Sequence, residues 1–246
     1  MQNSIIKILL QIIQFILSKF NYAITKSGFK KFFPGEYTLN LPNYYLIYTP
    51  WNLKNSKYKL YETTSTPDRL YIIDKFSRAA KDIPGDFAEC GVYRGISAKL
   101  IVKNLGENKR LYLYDTFSGM PSGTNWERDS MRVGELSDTS ESVVKLNLKG
   151  YLHNVVITKG IIPNCLDDNS DRKFSFLHLD VDSYSSTYDA LKYFYPRISL
   201  GGYIICDDYG FLAFKNAAKK AIDDYMAEKI EPVISLGTSQ CLIIKQ

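Results

Sequence analysis

The sequence has few of the residues on which several classes of functional site depend. It contains two histidines and four cysteines, and Cys90, Cys165, Cys206 and Cys241 form no Cys-x-x-Cys pair. A zinc site built from histidines is therefore not expected, and we interpret the cysteines as reduced residues of a cytoplasmic protein. The net charge is only +5 and no dense Lys/Arg stripe accompanies it. We therefore expect no nucleic-acid partner.

The chain also lacks the Gly-x-Gly-x-x-Gly turn that nicotinamide-dependent reductases use. Residues 86–98 instead read as a buried strand, a turn that contains Gly91 and Gly95, and the start of a helix. Asp115 ends the next apolar run about twenty residues later, where α/β nucleotide-binding folds place a carboxylate on a ribose. Glu89 stands where a pyrophosphate would need the first glycine, so the turn favours a donor that carries positive charge.

Two pairs of carboxylates end two further apolar runs. Asp180 and Asp182 end the first run, and Asp207 and Asp208 end the second. Ligand sites of open α/β sheets lie beyond the carboxyl ends of the strands, so both pairs and the glycine turn should surround one crevice. Four uncompensated carboxylates repel one another, and we expect Mg²⁺ among them. The alternative is that one acid of each pair caps the next helix, which applies most directly to Asp182.

The N-terminal segment, residues 1–33, combines a wide apolar face over residues 5–20 with a narrow polar stripe and several lysines. It lacks the cleavage site of a secretory signal and the uninterrupted apolar run of about 20 residues that a transmembrane helix needs. We expect an amphipathic helix that packs on its own domain or on a partner subunit. The alternative is peripheral contact with the anionic inner face of a membrane.

The rest of the chain is predicted to form a cap region, residues 34–82, and one large domain, residues 83–246. The cap region is irregular except for a helix over 68–80. In the domain, strands are predicted at 86–92, 110–116, 154–159, 174–181 and 202–207, and helices near 95–105, 139–149, 184–195 and 212–228. A C-terminal antiparallel hairpin follows. This α/β alternation predicts a mostly parallel seven-stranded sheet covered by helices on both faces, as in class I methyltransferases.

Four motifs resemble the macrocin O-methyltransferase (TylF/MycF-type) family, whose members methylate sugar hydroxyls. They are Asp86-Phe-Ala-Glu-Cys-Gly-Val-Tyr-Arg-Gly95, Leu113-Tyr-Asp-Thr-Phe-Ser-Gly-Met-Pro121, His178-Leu-Asp-Val-Asp-Ser-Tyr-Ser-Ser-Thr187 and Leu200-Gly-Gly-Tyr-Ile-Ile-Cys-Asp-Asp-Tyr209. The resemblance implies a class I methyltransferase fold, S-adenosylmethionine as donor, and Mg²⁺-dependent transfer to a sugar or glycoside acceptor. It also implies a homo-oligomer. The first 60 residues and the loop after Gly160 depart from the family pattern, and they leave the acceptor unspecified.

The resemblance also assigns roles position by position. The donor-binding residues would be Glu89, Gly91, Tyr93, Gly95, Ser97, Asp115, Thr116, Phe117 and Ser118. The metal ligands would be Asp180, Asp182, Asp207 and Asp208, with Asp180 or Asp182 as the catalytic base. Two alternatives stay open: methyl transfer to a catechol-like molecule, and a non-catalytic protein that binds a membrane surface.

Overall fold

The structure is a computed structural model, and it describes residues 22–25, 28–31, 65–167 and 171–246. The chain divides into two units, residues 1–57 and 58–246. In the first unit, β1 (Tyr22–Thr25) and β2 (Gly28–Lys31) pair as an antiparallel hairpin, which the sequence analysis did not predict. The amphipathic helix predicted over residues 5–20 lies outside the described residues.

The second unit alternates strands and helices. Its strands are β3 (Asp86–Cys90), β4 (Leu111–Asp115), β5 (Val155–Lys159), β6 (Phe174–Leu179), β7 (Ile198–Cys206), β8 (Ile234–Ser235) and β9 (Cys241–Ile244). Its helices are α1 (Pro67–Ala79), α2 (Ile96–Lys103), α3 (Trp126–Asp129), α4 (Glu141–Asn147), α5 (Tyr184–Phe194) and α6 (Ala218–Met226). Every described helix is too short or too polar to span a bilayer.

The seven strands form one sheet in the order β5-β4-β3-β6-β7-β9-β8. Neighbours from β5 to β7 pair in parallel, and β9 pairs antiparallel with both β7 and β8. The predicted sheet and its terminal hairpin are therefore confirmed, although β7 begins at Ile198 rather than at residue 202. Helix α1, which the sequence analysis placed in a cap region, packs against α2 and contacts β6 and β7.

The centre of the sheet is buried because its strands carry few polar residues. All six residues of β6 are buried, and β3 and β4 are buried over four of their five positions. Aromatic rings fill the space between the sheet and α5: the centroid of Phe194 lies 5.0 Å from that of Phe174 and 5.7 Å from that of Tyr114. Such ring contacts stabilise the packed layers beyond the area they bury. This core holds the strand ends in fixed register.

Two strand ends approach each other closely at Gly91, directly after β3. Gly91 has a φ of +83°, and a Cβ there would lie 1.7 Å from the carbonyl oxygen of Asp180. The Gly91 N–H donates to the Tyr114 carbonyl (2.9 Å), and the Asp180 N–H donates to the Cys90 carbonyl (2.8 Å). Only glycine fits a position that is left-handed and in contact with neighbouring backbone. The turn and Asp180 are therefore held against each other.

We predict that Gly91→Ala destabilises the protein strongly, because the new methyl group must displace the Asp180 backbone. Gly134→Ala is the matched control, since Gly134 has a φ of +82° but open space where its Cβ would lie. Both variants carry the left-handed strain of about 1–2 kcal/mol. Gly91→Ala should cost at least about 2 kcal/mol more in the free energy of unfolding, measured with urea. Equal losses in the two variants would contradict the close contact.

Candidate active site

A cavity of about 420 Å³ lies at the carboxyl ends of the central strands. Its volume falls within the range of small-molecule sites in proteins. Seven of the residues singled out from the sequence line it: Gly91, Tyr93, Asp115, Thr116, Asp180, Asp182 and Asp208. Met120, Met131, Ile162 and Phe211 add apolar wall. The predicted crevice therefore exists, and it brings the glycine turn and three of the four aspartates together.

Asp115 fastens the glycine turn to the end of β4. Its Oδ2 accepts the backbone N–H groups of Val92 (2.7 Å) and Tyr93 (2.9 Å), and its Oδ1 accepts that of Phe117 (2.6 Å). Tyr93 and Phe117 both have a positive φ, of 49° and 51°. A carboxylate that accepts from both sides can hold two such strained turns in place. Asp115 is thus a structural centre of this wall as well as a lining residue.

Six predicted site residues do not line the cavity: Glu89, Gly95, Ser97, Phe117, Ser118 and Asp207. Gly95 is the N-cap of α2 and Ser97 lies in its first turn. Phe117 is buried, whereas Ser118 is exposed. Glu89 and Asp207 are fully buried, and both contact His178 beneath the cavity. Their roles in donor or metal binding stay predictions.

Asp180, Asp182 and Asp208 form a cluster of carboxylates on the cavity wall. Each offers one oxygen, and these three atoms lie within 4.8 Å of one another. Burial and the charges of Asp207 and Asp208 raise the pKa of Asp180 well above its ordinary value. Burial and the charges of Asp208 and Asp180 do the same to the pKa of Asp182, which has a φ of 58°. The cluster is therefore short of positive charge.

Asp207, the fourth acid, lies in a different environment. Its Oδ2 forms an ion pair with Arg69 Nη2, and its Oδ1 contacts His178 Nε2 at 3.3 Å and accepts from the Gln240 amide. The same Arg69 nitrogen donates to Asp208 Oδ1 at 3.0 Å. Although burial opposes it, the charges of Arg69 and His178 lower the pKa of Asp207 to about 2. The chain itself therefore compensates this carboxylate.

His178 continues the buried chain of charges toward Glu89. Its Nδ1 lies 2.8 Å from Glu89 Oε1, and both side chains are fully buried on neighbouring positions of β6 and β3. Burial lowers the pKa of His178, but the hydrogen bonds and charges of Asp207 and Glu89 outweigh it and raise the pKa to about 10. The imidazole is therefore a cation at neutral pH. Glu89 Oε2 has no hydrogen-bond partner among the described residues.

The donor set of the carboxylate cluster fits a divalent cation. Three carboxylate oxygens are the hard ligands that Mg²⁺ selects, and oxygens on opposite sides of a bound Mg²⁺ are about 4.2 Å apart. The 4.8 Å limit within the cluster is close to that spacing. His178, Asp180 and Asp207 form a second group of the same dimension, but Asp207 and His178 already contact each other. The first group is the better ion site.

Three residues of the site, Arg69, His178 and Gln240, were not predicted from the sequence to have a role in it. Arg69 lies 139 residues from its partner Asp208, and Gln240 lies 171 residues from Arg69. Nothing local marks such pairs. For His178 a signal was present, since a histidine in an otherwise apolar strand at the level of Glu89 requires a buried partner. The four acids were read as uncompensated because Arg69 belongs to a helix assigned to the cap region.

Comparison with known proteins finds relatives in sequence among O-methyltransferases. A sequence model of the macrocin O-methyltransferase (TylF) family matches residues 70–237. The chain is 29% identical over 161 residues to a demethyldecarbamoylnovobiocin O-methyltransferase of Streptomyces niveus, covering 60% of each chain. It is 31% identical over 159 residues to an 8-demethyl-8-(2,3-dimethoxy-alpha-L-rhamnosyl)-tetracenomycin-C 4'-O-methyltransferase of Streptomyces olivaceus, covering 59% of each. The chain thus spans about three fifths of the length of these curated relatives.

Among solved structures, the O-methyltransferase NovP matches the fold with a TM-score of 0.65 and 26% identity. The match covers 72% of this chain and 79% of NovP. The calicheamicin methyltransferase CalS11 matches with a TM-score of 0.63 at 17% identity, which extends the likeness of fold to 81% of the chain. The predicted class I methyltransferase fold is confirmed.

We predict that His178 makes the stability of the protein depend on alkaline pH. Its pKa is about 10 in the folded protein and ordinarily 6.5, so its contribution is complete below pH 6.5 and is lost as the pH rises through 10. The free energy of unfolding of the wild type should therefore fall relative to that of His178→Gln between about pH 6.5 and about pH 10. Urea titrations measure this difference.

His153→Gln controls for loss of a histidine, since His153 is exposed. A constant difference between wild type and His178→Gln across the pH range would show that His178 is not held as a cation.

Proposed function

Because the chain belongs to the macrocin O-methyltransferase (TylF) family, we propose that it transfers the methyl group of S-adenosylmethionine to a hydroxyl oxygen of a sugar. The observation that carries this proposal is the single cavity lined both by the glycine turn with Asp115 and by Asp180, Asp182 and Asp208. Methyl transfer needs a donor held in line with an oxygen whose proton is removed. One wall supplies groups for the first task and the other wall supplies groups for the second.

For the donor, we propose contacts with Gly91, Tyr93, Asp115 and Thr116, which line the cavity. A carboxylate has about four acceptor positions, and Asp115 uses three of them for backbone N–H groups. The remaining position suits a ribose hydroxyl. Glu89, Gly95, Ser97, Phe117 and Ser118 would act from behind this wall, by shaping the turn and its charge.

For the acceptor, we propose that Asp180 or Asp182 removes the proton of the hydroxyl. Both side chains line the cavity, and a carboxylate within reach of the hydroxyl can accept its proton. Asp180, Asp182 and Asp208 would hold Mg²⁺, with Asp207 next to them. A Mg²⁺ ion held there would lower the pKa of the sugar hydroxyl and neutralise the cluster. The apolar wall of Met120, Met131 and Phe211 would exclude water from the donor.

The acceptor would be a glycosylated natural product or a surface polysaccharide. One curated relative is named for a rhamnosyl derivative of tetracenomycin C and the other for demethyldecarbamoylnovobiocin, which supports the first class. A catechol-like acceptor is the alternative within the same chemistry. The loop after Gly160 borders the cavity through Ile161 and Ile162, and it is where this chain departs from the family pattern. Acceptor choice would therefore depend on that loop.

We predict that Asp208→Asn abolishes methyl transfer without loss of donor binding. The substitution removes one charge from the proposed ion site but leaves Asp115 and the glycine turn intact. Transfer of a labelled methyl group should fall at least about 100-fold, the scale expected when a group that positions or polarises the reactants is lost. Calorimetry with S-adenosylhomocysteine should give the same affinity for the variant and the wild type.

The methyl-transfer assay uses three classes of acceptor: glycosides, polysaccharide fragments and catechols. Each assay is repeated in excess EDTA. Full activity in EDTA would show that the reaction does not need a metal ion. Failure of the wild type to bind S-adenosylhomocysteine would remove the methyltransferase activity altogether. Transfer to catechols alone would reassign the acceptor.

We also propose that residues 1–33 contact an anionic membrane surface or a second copy of the chain. The support is the amphipathic sequence pattern and its lysines. Flotation with anionic liposomes should be lost on truncation of these residues. Equal flotation of the truncated and full chains would exclude the membrane, and light scattering would then test the homo-oligomer.

A further inference from the structure

The loop over residues 119–138 forms one side of the cavity, and its own carboxylate fastens it. Met120, Pro121, Met131 and Leu136 of this loop line the cavity. Its middle folds into the short helix α3, which ends at Asp129. Trp126 is 54% exposed and stacks with Arg132 on its outer face, so it does not anchor the loop. Asp129 is fully buried and takes that role.

Four hydrogen bonds converge on the Asp129 carboxylate. Oδ1 accepts from Arg128 Nε (2.8 Å) and from the backbone N–H of Tyr184 (3.0 Å). Oδ2 accepts from Arg128 Nη2 (2.9 Å) and from the backbone N–H of Asn125 (2.8 Å). Burial opposes ionisation, but these bonds outweigh it and lower the pKa of Asp129. A buried carboxylate satisfied in this way is a rigid junction rather than a surface contact.

The bond to Tyr184 connects the loop to the segment that carries Asp182. Tyr184 is the first residue of α5, and its N–H is one of the helix-start donors that have no partner within the helix. Asp182 lies two residues earlier with a φ of 58°, a conformation that aspartate keeps only when its surroundings hold it. Ser183 between them is buried, and its N–H donates to the Val181 carbonyl. Asp129 thus fixes one end of this strained turn.

A second contact joins the loop to the segment after the other acid pair. Ser130, which has a φ of 57°, donates its hydroxyl to the carbonyl of Ala213 (2.7 Å). Ala213 follows Asp208 by five residues and lines the cavity. The loop is therefore bonded at adjacent residues to both segments that leave the carboxylate cluster.

We propose that Asp129 is a positioning residue that sets the backbone of Asp182 and couples it to the loop on the cavity wall. Asp129 does not line the cavity, and it acts through the Tyr184 N–H. Its catalytic consequence rests on the proposed methyl transfer, in which Asp182 removes the acceptor proton or holds the cation. Loss of the bond would free the turn at residues 182–184 and the loop together. A displacement of an ångström at such a group lowers transfer rates substantially.

The test compares Asp129→Asn with Asp224→Asn. Both aspartates bind Tyr184, but Asp224 is exposed and accepts from the Tyr184 hydroxyl (2.8 Å), so its loss leaves the backbone bond intact. In Asp129→Asn, amide exchange at Tyr184 should quicken at least about 10-fold, with parallel changes over residues 120–138. The kcat for methyl transfer to an acceptor should fall about 10- to 100-fold, measured well below the unfolding temperature of the variant. Asp224→Asn should change neither.

Unchanged exchange at Tyr184 in Asp129→Asn would overturn the proposal, as would a kcat equal to that of Asp224→Asn. If Asp129→Asn does not fold, exchange in the wild type replaces it, because the Tyr184 N–H has no partner within the helix and Asp129 accepts its hydrogen bond. Tyr184 should then exchange at least about 10-fold more slowly than an unstructured amide, and exchange as fast as in an unstructured peptide would again overturn the proposal. Exchange needs no substrate. A wild type that lacks transfer would therefore refute the proposed function separately.

Discussion

Five ionisable side chains beneath the cavity and on its wall alternate in sign, and each contacts the next: Glu89, His178, Asp207, Arg69 and Asp208. A single charge buried without a partner would cost several kcal/mol, whereas every charge of this network contacts at least one of opposite sign, and the three inner ones contact two. These five side chains belong to β3, β6, the end of β7 and α1. The central strands can bury these groups only in this register. The positions of the strand ends, and with them the cavity, depend on it.

The alternation ends at Asp208, where the protein's own cations run out. Asp180 and Asp182 lie beyond that point, and burial together with the charges of neighbouring aspartates raises the pKa of both above the ordinary range. The charges from Glu89 to Asp208 are paired within the protein, whereas the carboxylates of Asp180 and Asp182 are available to a bound ligand. Because the paired charges largely cancel and the remaining carboxylates are negative, the site suits a small divalent cation. This charge pattern and the family membership support the proposed reaction independently.

Much of the fold could be predicted because buried parallel strands are apolar runs separated by helical patterns. Strand ends could be read for the same reason, so Asp115, Asp180, Asp182 and Asp208 were placed together correctly. The local sequence pattern could not reveal which side chains from distant parts of the sequence pair with one another. The role of Asp207 depends on Arg69 and His178, and the role of Asp129 depends on the first N–H of α5. Each is a question of distance between segments remote in sequence, which no periodicity records.

The chain of charges draws on remote parts of the sequence, with separations of 89 residues between Glu89 and His178 and 139 between Arg69 and Asp208. Gln240 closes it from 171 residues beyond Arg69. Such contacts form late in folding, since the entropy of closing long loops is lost before they stabilise anything. A fragment must extend from Arg69 to Gln240 to contain the whole network. Proteolytic fragments or split halves of this domain would therefore be inactive until they reassembled. Activity would thus indicate that the whole domain has folded.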